Sequence, residues 1–364
     1  MYRLLRLEFL NFKKQIKIRM QSSEELNKKL DIIVNGSDKL AEIITIEELR
    51  ELLQQKTYRS LWGISPKILH LGYDRLIAKQ LDLMNVGFKH IIIIADQNIL
   101  LEKEDDPNLE DKIKYVISYF KFCCNLKKAK FITLKELQKK NRFWELFYLL
   151  SRNLKLKDMM KLNILRKKDS LGAYICASLQ MMDYLLVNAE VVYGGIDQRG
   201  VYVLSREFFG KRGFRKPIIL LSNLSHDIIG QKLVDSSLHT RITIHDTKNT
   251  LLYKVNKMFC PPGQVDNNPV IEHFRFSVFP FFKKITIELT NGEKEDILNA
   301  NALIEFYRKG LISPYNLKKT LYEYLSIRLR KVQEFFQRKY KLIEWIDTDF
   351  INKRGIPNVD EKTK

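Results

Sequence analysis

The sequence predicts an α/β fold with a parallel sheet, and three apolar runs carry this prediction. They occur at residues 91–94, 191–193 and 217–221 and are rich in Ile, Leu and Val. Runs that are apolar at nearly every position are typical of parallel strands, because helices cover both faces of such a sheet. Segments with helical periodicity lie between the runs, as expected for strands that alternate with helices.

The composition indicates a globular protein with a polyanionic partner. The 364 residues suffice for two domains, and the hydrophobic fraction of 45% suits a sizeable core. Sixty-three Lys and Arg against 43 Asp and Glu give a net charge of +20. This excess favours a nucleic acid as partner, because contacts between cations and phosphates release condensed counterions.

Cysteine and hydropathy patterns predict the compartment. The four cysteines have neither metal-ligand spacing nor a disulfide framework, so we expect a reducing, cytoplasmic location and no metal held by the protein alone: Cys123, Cys124, Cys176 and Cys260. No apolar run approaches the roughly 20 residues needed to span a bilayer, and no membrane partner is expected. The basic, amphipathic residues 1–20 predict an N-terminal helix, with a transit peptide as the alternative.

Further elements follow in chain order. Leucines and isoleucines at helical spacing predict helices within residues 22–55. A first buried strand is expected at residues 58–65 and a short strand at 130–132. Residues 136–153 are expected to be helical, and the apolar residues there belong to the core or to a dimer contact.

The most informative stretch combines a helix with a glycine turn. Gly194 and Gly195 follow the strand at 191–193, and Asp197 stands where the next helix begins. In the preceding helix, Gln180 and Asp183 are three residues apart, and Cys176 is four residues before Gln180. Such spacing puts these side chains on one helix face. A polar face that leads into a glycine turn predicts a small-molecule pocket.

These two motifs, L-Q-M-M-D at 179–183 and G-G-I-D-Q-R at 194–199, resemble the tyrosyl-tRNA synthetases of the archaeal and eukaryotic type. Further segments are similar to the same family. His70-Leu71-Gly72-Tyr73 resembles the start of its HIGH signature, and residues 230–236 stand where it has a mobile lysine loop. The longest match runs through K-M-F-C-P-P-G at 257–263, N-P-V at 268–270 and F-P at 279–280.

The resemblance implies an ATP-dependent class I ligase. Tyrosine would react with ATP, accompanied by Mg²⁺, to give tyrosyl-adenylate, and the tyrosyl group would then pass to tRNA(Tyr). Gly195 and Asp197 would contact the ATP ribose, and His70 and Lys232 would be the catalytic contacts to its phosphates. Gln180 and Gln198 would bind the amino acid. Asp183 would accept the phenolic proton, and a site of this kind can reject phenylalanine by a factor of about 10⁴–10⁵.

The resemblance also implies the domain order. Residues 1–55 would be N-terminal helices, followed by a Rossmann-like catalytic domain at 56–237 with a helical insertion near 120–175. An all-α anticodon-binding domain would occupy 238–345, with Ser313 and Asn316 at the first anticodon base, before a polar tail at 346–364. The insertion would form a homodimer, or else pack within the subunit, through Met159, Met160, Leu162, Ile164 and Leu165.

Several positions depart from the family pattern. Leu61 and Cys176 replace tyrosines that contact the substrate hydroxyl and ammonium, and Asn98 replaces a histidine. The lysine loop keeps Lys232 and Ser236 but has Leu, Val and Asp at 233–235. Two alternatives therefore stay open. One is a catalytically impaired, synthetase-like RNA-binding protein. The other is a ligase for tryptophan, which Leu61 favours and Asp183 opposes.

Overall fold

The computed structural model describes residues 23–102, 106–162, 170–232, 239–339, 341, 343 and 345–346. The helix expected at 1–20, residues 164 and 165, the loop centre at 233–236 and nearly all of the tail lie outside these residues. The chain divides into two units. The first comprises residues 1–64, 74–102 and 128–225, and the second comprises 65–73, 103–127 and 226–364.

The first unit contains a six-stranded sheet of order β1-β6-β5-β2-β3-β4, in which every neighbouring pair is parallel except β1 with β6. The strands are β1 (Glu42–Ile44), β2 (Arg59–Ile64), β3 (Lys89–Ile94), β4 (Lys130–Thr133), β5 (Val191–Gly195) and β6 (Ile218–Ser222). The predicted α/β class with a parallel sheet is therefore confirmed. The apolar runs follow from burial, because β5 and β6 are buried at every position.

Helices connect these strands and bury their apolar faces. They are α1 (residues 23–34), α2 (Ile46–Leu52), α3 (Asp74–Asn85), α4 (Asp96–Glu102), α6 (Leu134–Gln138), α7 (Asn141–Asn153), α8 (Leu156–Met159), α9 (Leu171–Leu186) and α10 (Arg199–Gly210), with α5 (Leu109–Ser118) in the second unit. One core cluster joins α9 to the sheet and includes Leu61, Ile91, Val192, Met181 and Met182.

The central strands β2 and β5 are paired only over their first residues and diverge before their carboxyl ends. They pair at Ser60↔Val191 and Leu61↔Val192. Beyond these pairs, β5 continues along β6 to Gly195, whereas β2 continues along β3 to Ile64. Strand order reverses here, and a crevice at the carboxyl ends of diverging parallel strands is where ligands bind in open α/β sheets.

The C-terminal part of the second unit is mainly helical, as predicted. It contains α11 (Lys248–Lys257), α12 (Pro269–His273), α13 (Ala300–Arg308) and α14 (Pro314–Gln337), with a hairpin of β7 (Ile285–Glu288) and β8 (Lys294–Ile297). This hairpin and the short edge strand β1 were not predicted from the sequence. None of the described helices is long and apolar enough to cross a membrane.

Candidate functional site

The polar face of α9 is the first component of the site. The Ser170 hydroxyl caps this helix by accepting the backbone N–H of Ala173. The helix then carries Cys176, Gln180 and Asp183 within a segment that is otherwise apolar. Cys176 and Asp183 are buried and Gln180 is half-buried, so this face points away from bulk water.

The carboxyl group of Asp183 is buried. The residue is 9% exposed, and its Oδ1 has no hydrogen-bond partner among the described residues. Burial raises the pKa of Asp183 to about 7, because the charged form loses its hydration. An acceptor held in this state suits a ligand that brings its own hydrogen-bond donor.

The glycine bend at the end of β5 is the second component. A Cβ on Gly195 would lie 2.3 Å from Asp197 Oδ1 and 2.8 Å from Leu224 Cδ2. A Cβ on Gly194 would lie 3.0 Å from Cε2 of Tyr202. Only glycine therefore lets Asp197 and Tyr202 approach the backbone of β5 this closely.

A chain of hydrogen bonds joins the helix face to the bend. Gln180 Nε2 donates to Gln198 Oε1 over 3.0 Å, and Gln198 Nε2 donates to Asp197 Oδ2. Asp197 is exposed and Gln198 is half-buried, so the chain runs from the interior to the surface. The structure thus joins Gln180, Gln198, Asp197 and Gly195 in the first unit, and Asp183 lies three residues after Gln180 on the same helix.

Three of the departures from the family pattern, Leu61, Cys176 and Asn98, lie in the same unit. Leu61 on β2 is 4% exposed and packs in the core cluster with α9. The Cys176 thiol lies 3.9 Å from the backbone oxygen of Asn98. Asn98 Oδ1 is buried and has no hydrogen-bond partner within the described part of the chain. Asn98 and Asp183 therefore each offer a buried oxygen that can accept a bond from a ligand.

His70 lies in the second unit. It follows β2 and precedes α3, as the resemblance required, and residues 69–71 pair with 242–244 through backbone hydrogen bonds. The imidazole is 3% exposed, stacks on Tyr73 and lies 3.5 Å from Arg241 Nη1 through its Nε2. This environment holds the ring in a fixed orientation.

Lys232, also in the second unit, is exposed and directly precedes residues outside the described part. Its backbone forms a bridge with His226, and the Glu272 carboxylate accepts both the backbone N–H and the Nδ1 of His226 at 2.8 Å. The residues before the lysine are thereby fixed to α12. The role of Lys232 itself stays a prediction.

Ser313 and Asn316 are bound into local structure. The Ser313 hydroxyl caps α14 by accepting the Asn316 backbone N–H at 3.1 Å. Asn316 Nδ2 donates to Glu288 O at 3.0 Å, which ties α14 to β7. The Asn316 side chain also lines a cleft of about 300 Å³ together with Lys294, Lys319 and Tyr324. A role at the anticodon stays a prediction.

Comparison with known proteins identifies the family. Residues 53–330 match the family model of the class I tRNA synthetases (W and Y). The tyrosine–tRNA ligase of Methanosphaera stadtmanae is 30% identical over 312 residues, which cover 84% of this chain and 98% of that protein. The chain belongs to the class I tRNA synthetase family, on its tyrosyl-tRNA synthetase side. By family it is therefore an ATP-dependent aminoacyl-tRNA ligase.

Solved structures agree with this assignment. The tyrosyl-tRNA synthetase of Archaeoglobus fulgidus, solved with L-tyrosine, has a TM-score of 0.73 and 25% identity, with coverage of 87% of this chain and 99% of that one. The tyrosyl-tRNA synthetase of Aeropyrum pernix has a TM-score of 0.78 and 20% identity, with coverage of 89% and 98%. Because the identity to the Aeropyrum pernix enzyme is only 20%, this second likeness shows a shared fold alone. The family resemblance read from the motifs is confirmed.

Two residues at the bend, Tyr202 and Leu224, were not predicted from the sequence. Tyr202 is 6% exposed, and its hydroxyl lies 3.5 Å from the backbone oxygen of Tyr193. The only signal for Tyr202 was its position, eight residues after Gly194 on the helix that follows the turn. An aromatic residue at that position is normally part of the core, so the sequence could not distinguish the two roles.

Proposed function

We propose that the chain is a tyrosine–tRNA ligase that activates tyrosine with ATP and transfers it to tRNA(Tyr). The observation that carries this proposal is the buried carboxyl of Asp183, whose Oδ1 has no hydrogen-bond partner among the described residues. It lies three residues after Gln180, on the helix that precedes the glycine bend. A phenolic hydroxyl is the donor that such a carboxyl lacks. The similarity to tyrosine–tRNA ligases over most of the chain supports the same substrate.

The reaction has two balanced steps. A tyrosine carboxylate oxygen attacks the α-phosphorus of ATP, the bond to the β,γ-diphosphate breaks, and tyrosyl-adenylate and pyrophosphate form. A ribose hydroxyl of the terminal tRNA nucleotide then attacks the tyrosyl carbonyl carbon. AMP leaves, and the hydroxyl proton passes to solvent. Neither step needs a covalent enzyme intermediate, so the rate depends on positioning and on charge stabilisation.

Selection against phenylalanine follows from burial. Tyrosine supplies a hydrogen-bond donor to Asp183, whereas phenylalanine would leave the carboxyl buried and unpaired. Discrimination of about 10⁴–10⁵ has been found for sites that bond a substrate hydroxyl. Since the pKa of Asp183 is about 7, the ionised acceptor is well populated only at neutral pH and above.

ATP would bind at the glycine bend. Gly195 lets the Asp197 carboxylate lie close to the backbone of the bend, and this exposed carboxylate accepts hydrogen bonds from ribose hydroxyls. His70 and Lys232 are proposed to contact the phosphates. Mg²⁺ would enter with ATP, held mainly by phosphate and water oxygens, as is usual for this ion. We find no group of three potential metal ligands among the described side chains.

The net charge of +20 and the cleft at Asn316 support tRNA as the second substrate. Asn316 Nδ2 is bonded to the backbone, which leaves its Oδ1 to accept a bond from a base. Unlike a carboxylate, this amide oxygen gives no charge assistance. We propose that Ser313 acts as the helix cap that holds Asn316 in place. The four free cysteines suit a reducing cytoplasm.

A homodimer is proposed through the helical insertion. Met159 and Leu162 pack in the core of their own subunit, but Met160 is 53% exposed. On α7, Trp144 and Tyr148 are 43% and 63% exposed and contact each other at 6.2 Å between ring centroids. Exposed aromatic side chains of this kind are typical of interfaces. Light scattering should give a dimer mass at micromolar concentration, and Trp144→Glu should shift it to monomer while Tyr253→Glu does not.

The activity is tested by exchange of labelled pyrophosphate into ATP, with each amino acid in turn. Tyrosine-dependent exchange is expected. Exchange with tryptophan alone would support the tryptophan ligase, for which the apolar Leu61 is the structural reason. If no amino acid supports exchange but the protein still binds tRNA, the chain is an RNA-binding protein without ligase activity and the proposal is wrong.

A further inference from the structure

Aromatic and cationic side chains follow one another on one face of α14 in the second unit. They recur at intervals of seven, four and four residues, a spacing that keeps them on one side of the helix. Two rings from other segments of the same unit pack against them. We call this surface the α14 stripe, and it consists of Phe122, Phe282, Tyr324, Lys331, Phe335 and Lys339.

The first half of the stripe surrounds the ring of Phe282. This ring meets Tyr324 edge to face, with 5.0 Å between the ring centroids, and Lys331 Nζ lies 6.0 Å from its centre. The neighbouring ring of Phe281 is 42% exposed and lies 3.9 Å from Cζ of the buried Arg328. The rings are therefore fixed by the protein, and a ligand that binds them does not have to order them.

The second half of the stripe presents the ring of Phe122. This ring is 56% exposed, and its centre lies 5.7 Å from that of Phe335. Lys339 Nζ lies 5.7 Å from the centre of the Phe335 ring. The segment that carries Phe122 is fixed to α14, because the Tyr119 hydroxyl accepts a hydrogen bond from Arg328 Nη2 over 3.4 Å. Exposed aromatic rings that cluster on a fixed surface indicate a binding site.

The two lysines of the stripe can contact an anion. Lys331 and Lys339 are exposed, and none of the carboxylates that the structure describes lies within ion-pair distance of either. The acidic residue between them, Glu334, pairs with Arg330 over 3.9 Å. Cations that stand between rings suit a strand in which phosphates alternate with bases. Each phosphate contact releases counterions, and each base can stack on a ring.

We propose that the α14 stripe binds an unpaired RNA strand, whose bases stack on Phe122 and Phe282 and whose phosphates contact Lys331 and Lys339. RNA is the class of nucleic acid on which the family of this chain acts. Stacking and phosphate contacts do not read the edges of bases, so this surface accepts strands of different sequence. The inference does not depend on the ligase activity.

The length of the stripe sets the length of the strand. Tyr324 and Lys339 are fifteen residues apart, which corresponds to about 22 Å along a helix. About six stacked nucleotides, at roughly 3.4 Å each, cover this distance. Tyr324 also lines the cleft at Asn316, so the stripe extends from that cleft toward the C-terminal end of α14.

Fluorescence anisotropy of the full chain with a labelled single-stranded RNA of about ten nucleotides tests this inference, with an RNA duplex of the same length for comparison. Phe122→Ala should weaken binding of the single strand by about 5-fold or more, as for the loss of one stacked base. Binding of the duplex, whose bases already stack on one another, should change by less than about 2-fold. Lys331→Gln should weaken the single strand and lower the slope of log affinity against log salt by about 0.7.

Tyr253→Ala is the matched control for the ring. Tyr253 lies on α11 of the same unit, outside the stripe, and is 60% exposed, close to the exposure of Phe122. Lys309→Gln is the control for the cation, because Lys309 is exposed after α13. Neither control should weaken the single strand by more than about 2-fold. Because Phe122 and Lys331 are exposed, both test variants should unfold at the wild-type urea concentration.

Equal weakening of single-stranded and duplex RNA by Phe122→Ala, or no weakening of either, would overturn the stacking role. A change of mass in light scattering caused by Phe122→Ala, with RNA binding unchanged, would show that the stripe is an interface between copies of this chain. These mixtures contain neither tyrosine nor ATP. A chain that is active in pyrophosphate exchange but fails this test refutes the stripe alone, and a chain without exchange activity can still pass it.

Discussion

The thiol of Cys176 lies 3.9 Å from the backbone oxygen of Asn98, so two of the positions where this chain departs from its family are in contact. They meet between α4 and α9, beside an Asn98 Oδ1 that has no partner among the described residues. Departures that touch are expected to act together. Substitutions at 98 and 176 should accordingly be non-additive in any binding measurement.

Asn98→Leu should separate stability from binding. Removing a buried, unsatisfied acceptor while keeping a similar volume should raise the free energy of unfolding by about 1 kcal/mol. If Oδ1 accepts a bond from the amino acid, tyrosine affinity should fall by about 10-fold. Urea denaturation and calorimetry measure the two effects. A less stable protein with unchanged affinity would show that the amide is bonded within the protein.

Asp183→Asn should raise the free energy of unfolding and lower the discrimination between tyrosine and phenylalanine. An amide has no charge to desolvate, but it is a weaker acceptor for the substrate hydroxyl than a carboxylate. We expect the ratio of tyrosine to phenylalanine in pyrophosphate exchange to fall by at least about 100-fold, from a starting value on the order of 10⁴. An unchanged ratio would remove Asp183 from substrate recognition.

The same variant has a signature in the pH dependence of folding. Burial raises the pKa of Asp183 from 3.8 to about 7, so between these values the folded state binds more protons than the unfolded state. Stability therefore falls as pH rises through this range, and the loss is complete above about pH 7. The free energy of unfolding of Asp183→Asn minus that of wild type should grow by about 2–3 kcal/mol between pH 5 and pH 8. A constant difference in urea titrations would mean that the carboxyl is hydrated.

The parts of this fold that the sequence could predict are those where burial leaves a compositional signal. Strand β3 is an isoleucine run because both faces are covered, whereas β1 has three half-buried residues at a sheet edge and no such signal. The β7–β8 hairpin did carry a signal in its sequence. Asn291-Gly292 follows the alternation Ile285-Thr286-Ile287, and Gly292 has a φ of +87°.

The residues of the candidate site likewise divide into those that could be predicted from the sequence and those that could not. Gln180, Asp183 and Gly195 were predicted because their spacing is a motif along the chain. Tyr202 was not, since its position against Gly194 depends on the bend that returns α10 against β5. Contacts created by tertiary geometry leave no periodic pattern in the residues that make them.

Gly195→Ala should weaken the binding of ATP. The added methyl group would lie 2.3 Å from Asp197 Oδ1, so the carboxylate must move. We expect ATP affinity to fall by about 10-fold or more, as for loss of a charge-assisted hydrogen bond. Gly63→Ala is the control, because its nearest neighbour would be 4.0 Å away. Equal effects of the two substitutions on ATP titrations would contradict this account.

Lys254→Met tests how the segment around His70 is held. Lys254 Nζ lies 2.7 Å from Asp246 Oδ2, and Asp246 in turn accepts from the backbone N–H and hydroxyl of Thr243, the residue that pairs with His70. Both members of the ion pair are buried, so removing the cation leaves a desolvated carboxylate and should cost about 3–5 kcal/mol of unfolding free energy. Lys257→Met, at an exposed position of the same helix, should change it by less than about 0.5 kcal/mol. If both variants unfold at the wild-type urea concentration, the ion pair does not hold this segment, and the orientation of His70 must depend on its own ring contacts.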